Sequence, residues 1–250
     1  DMTDFITVYG RDENIVEQIQ SILIKDIKKA YPQIEFEDSS NLMDVLFEIA
    51  DSTGESFFMI IDEWDAICRE FKPHSKAMDD YVNLLRLMFK SEKGQRTFAG
   101  VYMTGILPIK KQNTQSALNN FWEYSMTQPR RLAKYFGFTK AEVKMLCEKH
   151  DMPLEDLEKW YDGYSIGDEP SMFNPSSVMK AIDCGKCENY WATTGYFDAI
   201  TPYIKLDYEG LKSDISSMVA GASCKVDVVD FANDPAQIND KEAVLNYLIH

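Results

Sequence analysis

The chain has 250 residues, of which 45% are hydrophobic and 27% are charged, a composition typical of a globular protein. Its formal net charge is −15, and phosphate-backbone binding needs a basic surface, so direct nucleic-acid binding is not expected. No apolar run approaches the roughly 20 residues that cross a bilayer, and no signal peptide is visible, so we expect a cytoplasmic protein without a membrane partner.

The first fifty residues alternate between strand-like and helix-like patterns. Phe5–Tyr9 is rich in β-branched and aromatic residues, which predicts a strand. Apolar residues recur at helical spacing between residues 11 and 31, which predicts an amphipathic helix. Ser39 or Ser40 can cap a second helix that runs to about Ala50, before a further strand. This order of elements predicts crossover connections and a parallel sheet.

The run Phe57–Glu63 is the most informative in the chain. Five apolar residues, typical of a buried strand in a parallel sheet, are followed by the carboxylates of Asp62 and Glu63. Ligands of open α/β sheets bind beyond the carboxyl ends of the strands, where these two side chains are expected. The pattern is typical of the Walker B strand of nucleotide hydrolases. There the first carboxylate holds the Mg²⁺ shell and the second prepares a water for attack on the γ-phosphate.

These acidic residues also have simpler explanations. Asp62 can cap a nearby turn, and Glu63 can pair with a lysine or an arginine. Asp65 can either assist the site or cap the following helix. An apolar run that ends in two acids places charge where burial would be costly, which favours functional roles for Asp62 and Glu63. We therefore predict that Asp62 binds the metal and that Glu63 is the general base.

A second strand ends in a hydroxyl that belongs to the same predicted site. The spacing predicts a helix over Ser75–Phe89 and a buried strand over Thr97–Met103, followed by Thr104. In ring- and switch-type ATPases, a polar residue at the end of the strand beside Walker B senses the γ-phosphate. Thr104 is therefore a candidate sensor, and the alternative is a strand end with an accessory hydroxyl.

The sequence lacks the other half of a nucleotide site. Nowhere does it read G-x-x-x-x-G-K-[ST], the loop that binds the phosphates of ATP. The chain also begins at Asp1 next to a strand-like run and ends, over residues 243–249, in a helix-like run. We therefore expect a fragment of a larger protein, and we expect this chain alone to be inactive.

The second half of the chain predicts helices. Residues 139–142 form a capping box, Pro153 lies in the first turn of the next helix, and residues 173–177 start another helix. No further buried parallel strand is visible before about residue 203. The sequence therefore predicts an all-α lid after the α/β core.

The last stretch predicts a helix near residues 211–218, two short strands within residues 224–229 and a final helix. Helix, β-ribbon and helix in this order are typical of a winged-helix-like unit. The predicted domains are a partial α/β core without a phosphate loop over residues 1–136, a helical lid over residues 137–205 and a partial winged-helix-like segment over residues 206–250.

The five cysteines do not predict a metal or disulfide framework. Cys184 and Cys187 form a C-x-x-C pair, but a zinc site needs two more ligands and no second pair of this kind exists. An ordinary turn with two thiols is favoured over a metal or redox role.

Six phrases, taken together, resemble one family, the predicted AAA-ATPase-like proteins of gut and other anaerobic bacteria. Their order and spacing carry the resemblance, which covers nearly the whole chain. The phrases are Phe58–Asp65, Met103–Lys110, Phe136–Val143, Trp160–Tyr164, Phe173–Val178 and Tyr190–Gly195.

The resemblance implies a P-loop ATPase core, a helical lid and a winged-helix-like segment, often followed by a restriction-endonuclease-like domain. It places the Walker A loop upstream of the first strand, so this chain resembles a fragment that begins after that loop. The intact protein is expected to bind and hydrolyse ATP with Mg²⁺ and to couple hydrolysis to conformational change. Asp62, Glu63 and Thr104 would contact the nucleotide or its metal, and Glu63 and Thr104 would be catalytic. Two alternatives stay open: a non-catalytic scaffold that binds a protein partner, and the regulatory part of a nuclease.

Overall fold

The computed structural model describes residues 1–37, 40–72, 74–106, 118–190, 208–220, 222–226 and 240–249. The chain forms two compact units, Asp1–Trp122 and Glu123–His250. The finer division at residues 136 and 205 remains a proposal. None of the described helices is both long and apolar enough to cross a membrane.

The first unit combines helices with a small parallel sheet. Strands β1 (Phe57–Ile61) and β2 (Phe98–Met103) pair in parallel, with Ile60 opposite Tyr102 and Ile61 opposite Met103. The parallel pairing and the crossover through helices confirm the mixed α/β class predicted for this region. The helices are α1 (Met2–Tyr9), α2 (Ile15–Ala30), α3 (Leu42–Thr53), α4 (Ala66–Glu70), α5 (Lys76–Lys90) and α6 (Glu92–Thr97).

The prediction of a strand over Phe5–Tyr9 is wrong, because these residues belong to helix α1. Asp1 caps the helix by accepting a hydrogen bond of 2.8 Å from the backbone N–H of Thr3. Met2 is buried, and Phe5 and Ile6 pack against the same core one turn further on. This spacing of three and four residues is helical, and the packing overrides the strand preference of the β-branched residues.

Helix α3 has a different cap from the one predicted. The side chain of Asn41, rather than Ser39 or Ser40, accepts a 2.9 Å hydrogen bond from the backbone N–H of Asp44. Asparagine is as good an N-cap as serine, so composition alone does not choose between neighbouring polar residues. Ser39 lies outside the described residues.

The sheet of the first unit has two different faces. Met59, Ile61 and Val101 pack against the core of the unit, together with residues of the surrounding helices. On the other face Ile60 is 67% exposed and Tyr102 is 54% exposed. The prediction of two buried strands is therefore met only in part: one face is partly buried against the core and the other is exposed, because the described helices cover only one side of the apolar runs.

The second unit contains an antiparallel sheet, so the prediction of an all-α lid is wrong. Strands β3 (Phe138–Thr139), β4 (Asp162–Ile166) and β5 (Glu169–Phe173) lie in the order β3-β5-β4. Strands β4 and β5 form a hairpin through the two residues Gly167 and Asp168, and Gly167 has a φ of 58°. Glycine followed by aspartate is a signal for a tight hairpin turn that the sequence analysis missed.

The predicted helix starts of the second unit are confirmed. The capping box is present, since Thr139 and Glu142 exchange side-chain and backbone hydrogen bonds at the start of a helix. Pro153 lies at the N-cap of the second helix, one residue before the first turn in which it was predicted, and Asn174 caps the third. These helices are α7 (Lys140–His150), α8 (Leu154–Tyr161) and α9 (Pro175–Cys184).

The C-terminal part contributes α10 (Leu211–Val219) and α11 (Lys241–Ile249), whose buried residues Leu211, Val244 and Leu245 share one cluster. Of the two short strands expected within residues 224–229, residues 224–226 form none, and residues 227–229 lie outside the described part. The winged-helix-like architecture therefore remains a proposal.

Candidate functional site

Asp62 and Thr104 meet at the carboxyl end of the parallel sheet. Asp62 directly follows β1 and Thr104 directly follows β2, and the Thr104 hydroxyl donates a hydrogen bond to Asp62 Oδ1. The backbones stay paired beyond the strands, since Thr104 N–H donates to Ile61 O at 3.0 Å and Trp64 N–H donates to Thr104 O at 2.8 Å. The structure therefore brings together the two residues predicted to bind metal and phosphate.

Asp62 is held in place but remains exposed to solvent. Its Oδ1 also accepts the Glu63 backbone N–H at 3.1 Å, and its backbone carbonyl accepts Met2 N–H, at the start of α1, at 3.0 Å. Within the described residues, no group donates to Asp62 Oδ2. On this exposed side chain, one oxygen is thus held by the protein, and the other, which we call the outward oxygen, has no donor among the described residues.

Glu63 has an unusual backbone and a charged partner. Its φ is 52°, in the left-handed region that residues with a side chain rarely adopt. Its Oε2 accepts a hydrogen bond from Arg69 Nη2, and its side chain is 33% exposed. The proposed base is therefore in an ion pair, which is the simpler role considered for it from the sequence.

Asp65, two residues after Glu63, is fully buried. Its Oδ2 is 3.1 Å from Nε of Arg69, one turn further along α4. Asp65 precedes α4, but its side chain makes no capping hydrogen bond to that helix. Arg69 therefore contacts two carboxylates, one buried and one partly exposed.

Gly105 is closely packed against Asp65 and Trp64. A Cβ atom at Gly105 would lie 2.5 Å from Asp65 Oδ1 and 2.6 Å from Trp64 Cδ1, so the position has no room for a side chain. Trp64 is buried, and its carbonyl accepts a 2.8 Å hydrogen bond from the Tyr81 hydroxyl. The residues that follow β1 and β2 are thus closely packed against one another.

The local electrostatics disfavour a thiol nucleophile. Burial, and then the charge of Asp65, raise the pKa of the Cys68 thiol to about 12. Burial likewise raises the pKa of the Tyr81 hydroxyl above its ordinary value. Both groups therefore stay protonated near neutral pH.

The donor atoms fit a magnesium ion that brings its own further ligands. Mg²⁺ usually keeps several waters and is bound through one or two carboxylates together with substrate phosphates. The outward oxygen of Asp62 and the neighbouring Thr104 hydroxyl provide such a partial set. Within the described ranges, no three or more His, Cys, Asp or Glu residues form a cluster that could hold a metal. A metal here would therefore need phosphate oxygens and waters to complete its shell.

The C-x-x-C pair lies at the C-terminal end of α9, and within the described part of the chain it belongs to no group of three or more residues that could hold a metal. Cys184 is the last residue of the helix, and Gly185, at φ 66°, ends it with a backbone hydrogen bond to Ile182 O of 3.3 Å. Lys186 N–H donates to Ala181 O at 3.1 Å, which completes an ordinary helix C-terminus.

Sequence reasoning missed two residues of the site, Arg69 and Gly105. Asp65 and Arg69 are four residues apart on a helical segment, and that spacing is a readable signal for an ion pair. Gly105 directly follows the candidate Thr104. Only glycine fits at this position because a Cβ atom would clash with Trp64 and Asp65, and the sequence does not show that those residues lie so close.

Comparison with known proteins places this site inside a recognised family segment. Residues 5–115 match the model of a family described as predicted AAA-ATPases. The range includes Asp62, Glu63, Arg69 and Thr104, and it confirms the resemblance for this part of the chain. The phrases noted after residue 115 lie outside it. No curated protein and no solved structure matches the chain.

Proposed function

We propose, from the match of residues 5–115 to predicted AAA-ATPases, that the chain is part of a protein that binds and hydrolyses Mg-ATP. The observation that carries the proposal is the contact between Asp62 and Thr104 at the carboxyl ends of two parallel strands. Ligands of such sheets bind at that edge. Hydrolysis would be coupled to conformational change of the intact protein.

The proposed roles follow from the side chains at this edge. Asp62 would hold Mg²⁺ through its outward oxygen, directly or through water, and Thr104 would contact the γ-phosphate or the metal shell. A bound Mg²⁺ would neutralise charge on the phosphate oxygens. Glu63 would orient the attacking water and accept its proton as the water oxygen bonds to the γ-phosphorus, the bond from that phosphorus to the bridging oxygen breaks, and ADP leaves.

A phosphate-binding loop is required for this activity and is not found in the sequence. Such a loop supplies backbone N–H groups and a lysine to the phosphates. We propose that it precedes Asp1 in the intact protein, and that the present chain alone binds ATP too weakly to hydrolyse it. A short phosphate-loop sequence upstream of Asp1 would be the expected finding.

Turnover by the intact protein tests the assignment of Glu63. Glu63→Gln keeps the size of the side chain but removes its ability to accept a proton, so we expect kcat to fall about 100-fold or more. ATP hydrolysis is measured by phosphate release at saturating Mg-ATP. Glu55→Gln, an exposed carboxylate just before β1, is the matched control and should leave kcat unchanged. Equal turnover of Glu63→Gln and the wild type would remove Glu63 from the proposed mechanism.

A scaffold without catalysis is the second candidate, and the exposed face of the β1–β2 sheet favours it. Phe58, Ile60 and Tyr102 present large apolar side chains that are 65%, 67% and 54% exposed. Apolar residues clustered on a surface commonly mark a contact with another protein. Calorimetry with the intact protein separates the candidates. Binding of Mg-ATP supports the enzyme, whereas no binding of Mg-ATP together with a stable protein partner supports the scaffold.

A further inference from the structure

Arg69 joins the proposed base to a buried carboxylate, and we infer that it is a positioning residue for Glu63. The inference rests on the proposed ATPase function and adds a residue that the sequence pattern did not suggest. Arg69 is not expected to contact the nucleotide. Its effect would pass through the orientation of the Glu63 carboxylate.

The first interaction of the Arg69 guanidinium is with a buried carboxylate. Arg69 Nε lies 3.1 Å from Oδ2 of Asp65, whose side chain is fully buried. The backbone supports the same geometry, because Arg69 N–H donates to Asp65 O at 3.0 Å in the first turn of α4. Removing one partner of a buried ion pair leaves an uncompensated charge, which is strongly destabilising. Arg69 is therefore tied to Asp65.

The second interaction of the Arg69 guanidinium is with Glu63, the proposed base. Arg69 Nη2 donates to Glu63 Oε2, so the same guanidinium bridges both acids. The guanidinium is planar, and its N–H directions are fixed relative to one another, so anchoring Nε sets the direction in which Nη2 points. Among the described residues, no group donates to Glu63 Oε1. Arg69 thus holds one oxygen and leaves the other for a water proton.

The backbone of Glu63 agrees with a positioned side chain. Its φ of 52° is sparsely populated for a residue with a Cβ, and such conformations are energetically unfavourable. They persist where neighbouring contacts hold them, and they cluster at functional sites. The ion pair with Arg69 and the hydrogen bond from Ala66 N–H to Glu63 O, 2.9 Å long, are two such contacts.

Surface ion pairs of this unit offer a matched comparison. Arg96 pairs with Asp51 at 3.0 Å, but the two side chains are 59% and 60% exposed. Arg69 and Glu63 are 29% and 33% exposed, and Asp65 is fully buried. Exposed pairs contribute little because solvent screens them, so Arg96→Gln reports the effect of losing an arginine without losing the proposed bridge.

The test measures ATP turnover of the intact protein with Arg69→Gln, Arg69→Lys, Glu63→Gln and the double variant Glu63→Gln/Arg69→Gln. We expect kcat to fall about 10-fold or more in Arg69→Gln, because a small displacement of a catalytic group costs up to about 100-fold. KM for ATP should change less than about 3-fold, since Arg69 is not expected to contact the nucleotide. Arg96→Gln should behave as the wild type.

Two further readouts separate positioning from a loss of structure. The double variant should be no slower than Glu63→Gln alone, because Arg69 acts through Glu63. Arg69→Lys keeps the charge but cannot bridge two carboxylates in a fixed plane, so it should lose activity while remaining folded. If Arg69→Gln does not fold, Arg69→Lys decides the question.

The outcomes distinguish this inference from the proposed function. An intact wild type that hydrolyses no ATP would remove the proposed function itself. A wild type that depends on Glu63 while Arg69→Lys keeps full turnover would overturn the positioning role alone. Faster turnover in the Arg69 variants would also overturn it, because Arg69 would then restrain Glu63. A double variant clearly slower than Glu63→Gln would show that Arg69 acts independently of Glu63.

Discussion

Gly105 lies directly after Thr104, where the structure leaves no space for a Cβ atom. Such an atom would lie 2.5 Å from a carboxylate oxygen of Asp65 and 2.8 Å from the Trp64 indole nitrogen. Both neighbours are buried, so neither can move without disturbing the core. At residue scale, the packing beside Thr104 therefore requires glycine at position 105.

We predict that Gly105→Ala destabilises the chain by about 1–3 kcal/mol, the usual range for overpacking a well-packed region. The free energy of unfolding is measured by urea titration of the 250-residue chain. Gly163→Ala is the control, because a Cβ there would meet no atom within 4 Å. A loss in Gly105→Ala no larger than in Gly163→Ala would contradict the close contact with Asp65 and Trp64.

The site residues differ in how far the sequence predicts them. Asp62 and Thr104 follow adjacent parallel strands, and the general rule that such strand ends meet at one edge was enough to place them together. The contact of Glu63 with Arg69 depends on the left-handed backbone at Glu63 and on side-chain directions. Sequence patterns do not encode such details, so the sequence allowed a lysine or arginine partner for Glu63 but did not identify Arg69.

At the scale of elements, the sheet of the first unit is covered on one side by the described helices. Ile60 lies on the exposed face of β1, and Ile67 of α4 is fully buried in the core. Parallel sheets are usually covered on both faces, and their strands read as continuous apolar runs. The sequence of β1 is such a continuous apolar run, but the described helices of this unit cover only one of its two faces.

The two isoleucines should therefore respond differently to truncation. Ile67→Ala should cost about 2–5 kcal/mol of unfolding free energy, as for other buried aliphatic side chains. Ile60→Ala should cost no more than about 1 kcal/mol, since it loses little beyond strand propensity. Both are measured by urea titration of the same chain. Equal losses would indicate that the Ile60 face is covered in solution.

The sequence predicted several helices that begin with a capping residue, because the capping hydrogen bond is made within the first turn. The α5 cap at Ser75 and the capping box of Thr139 and Glu142 bond to the nearest turn of backbone, so their effect is visible in a short window of sequence. Helix α1 was misread because its outcome depends on packing of Met2 and Phe5 against residues far along the chain. The β4–β5 hairpin was missed for a different reason, since the glycine of its turn was readable but was not used.

At the scale of the whole molecule, the two units have separate cores and different kinds of sheet. The first unit carries the parallel strands, the candidate site and the whole of the family match, which ends at residue 115. The second unit contains the antiparallel sheet and lies outside that match. The proposed nucleotide chemistry thus belongs to the first unit, and a mechanical or binding role for the second is a proposal.

Magnesium-dependent ATP binding by the intact protein tests the central claim most directly, with wild type compared with Asp62→Asn by calorimetry. We predict that magnesium strengthens ATP binding to the wild type and that Asp62→Asn loses at least 10-fold of that gain, because its outward atom no longer carries charge for the metal. Asp51→Asn, in an exposed surface pair, should bind as the wild type does. Identical magnesium dependence in Asp62→Asn and the wild type would contradict a metal–nucleotide site at the end of β1.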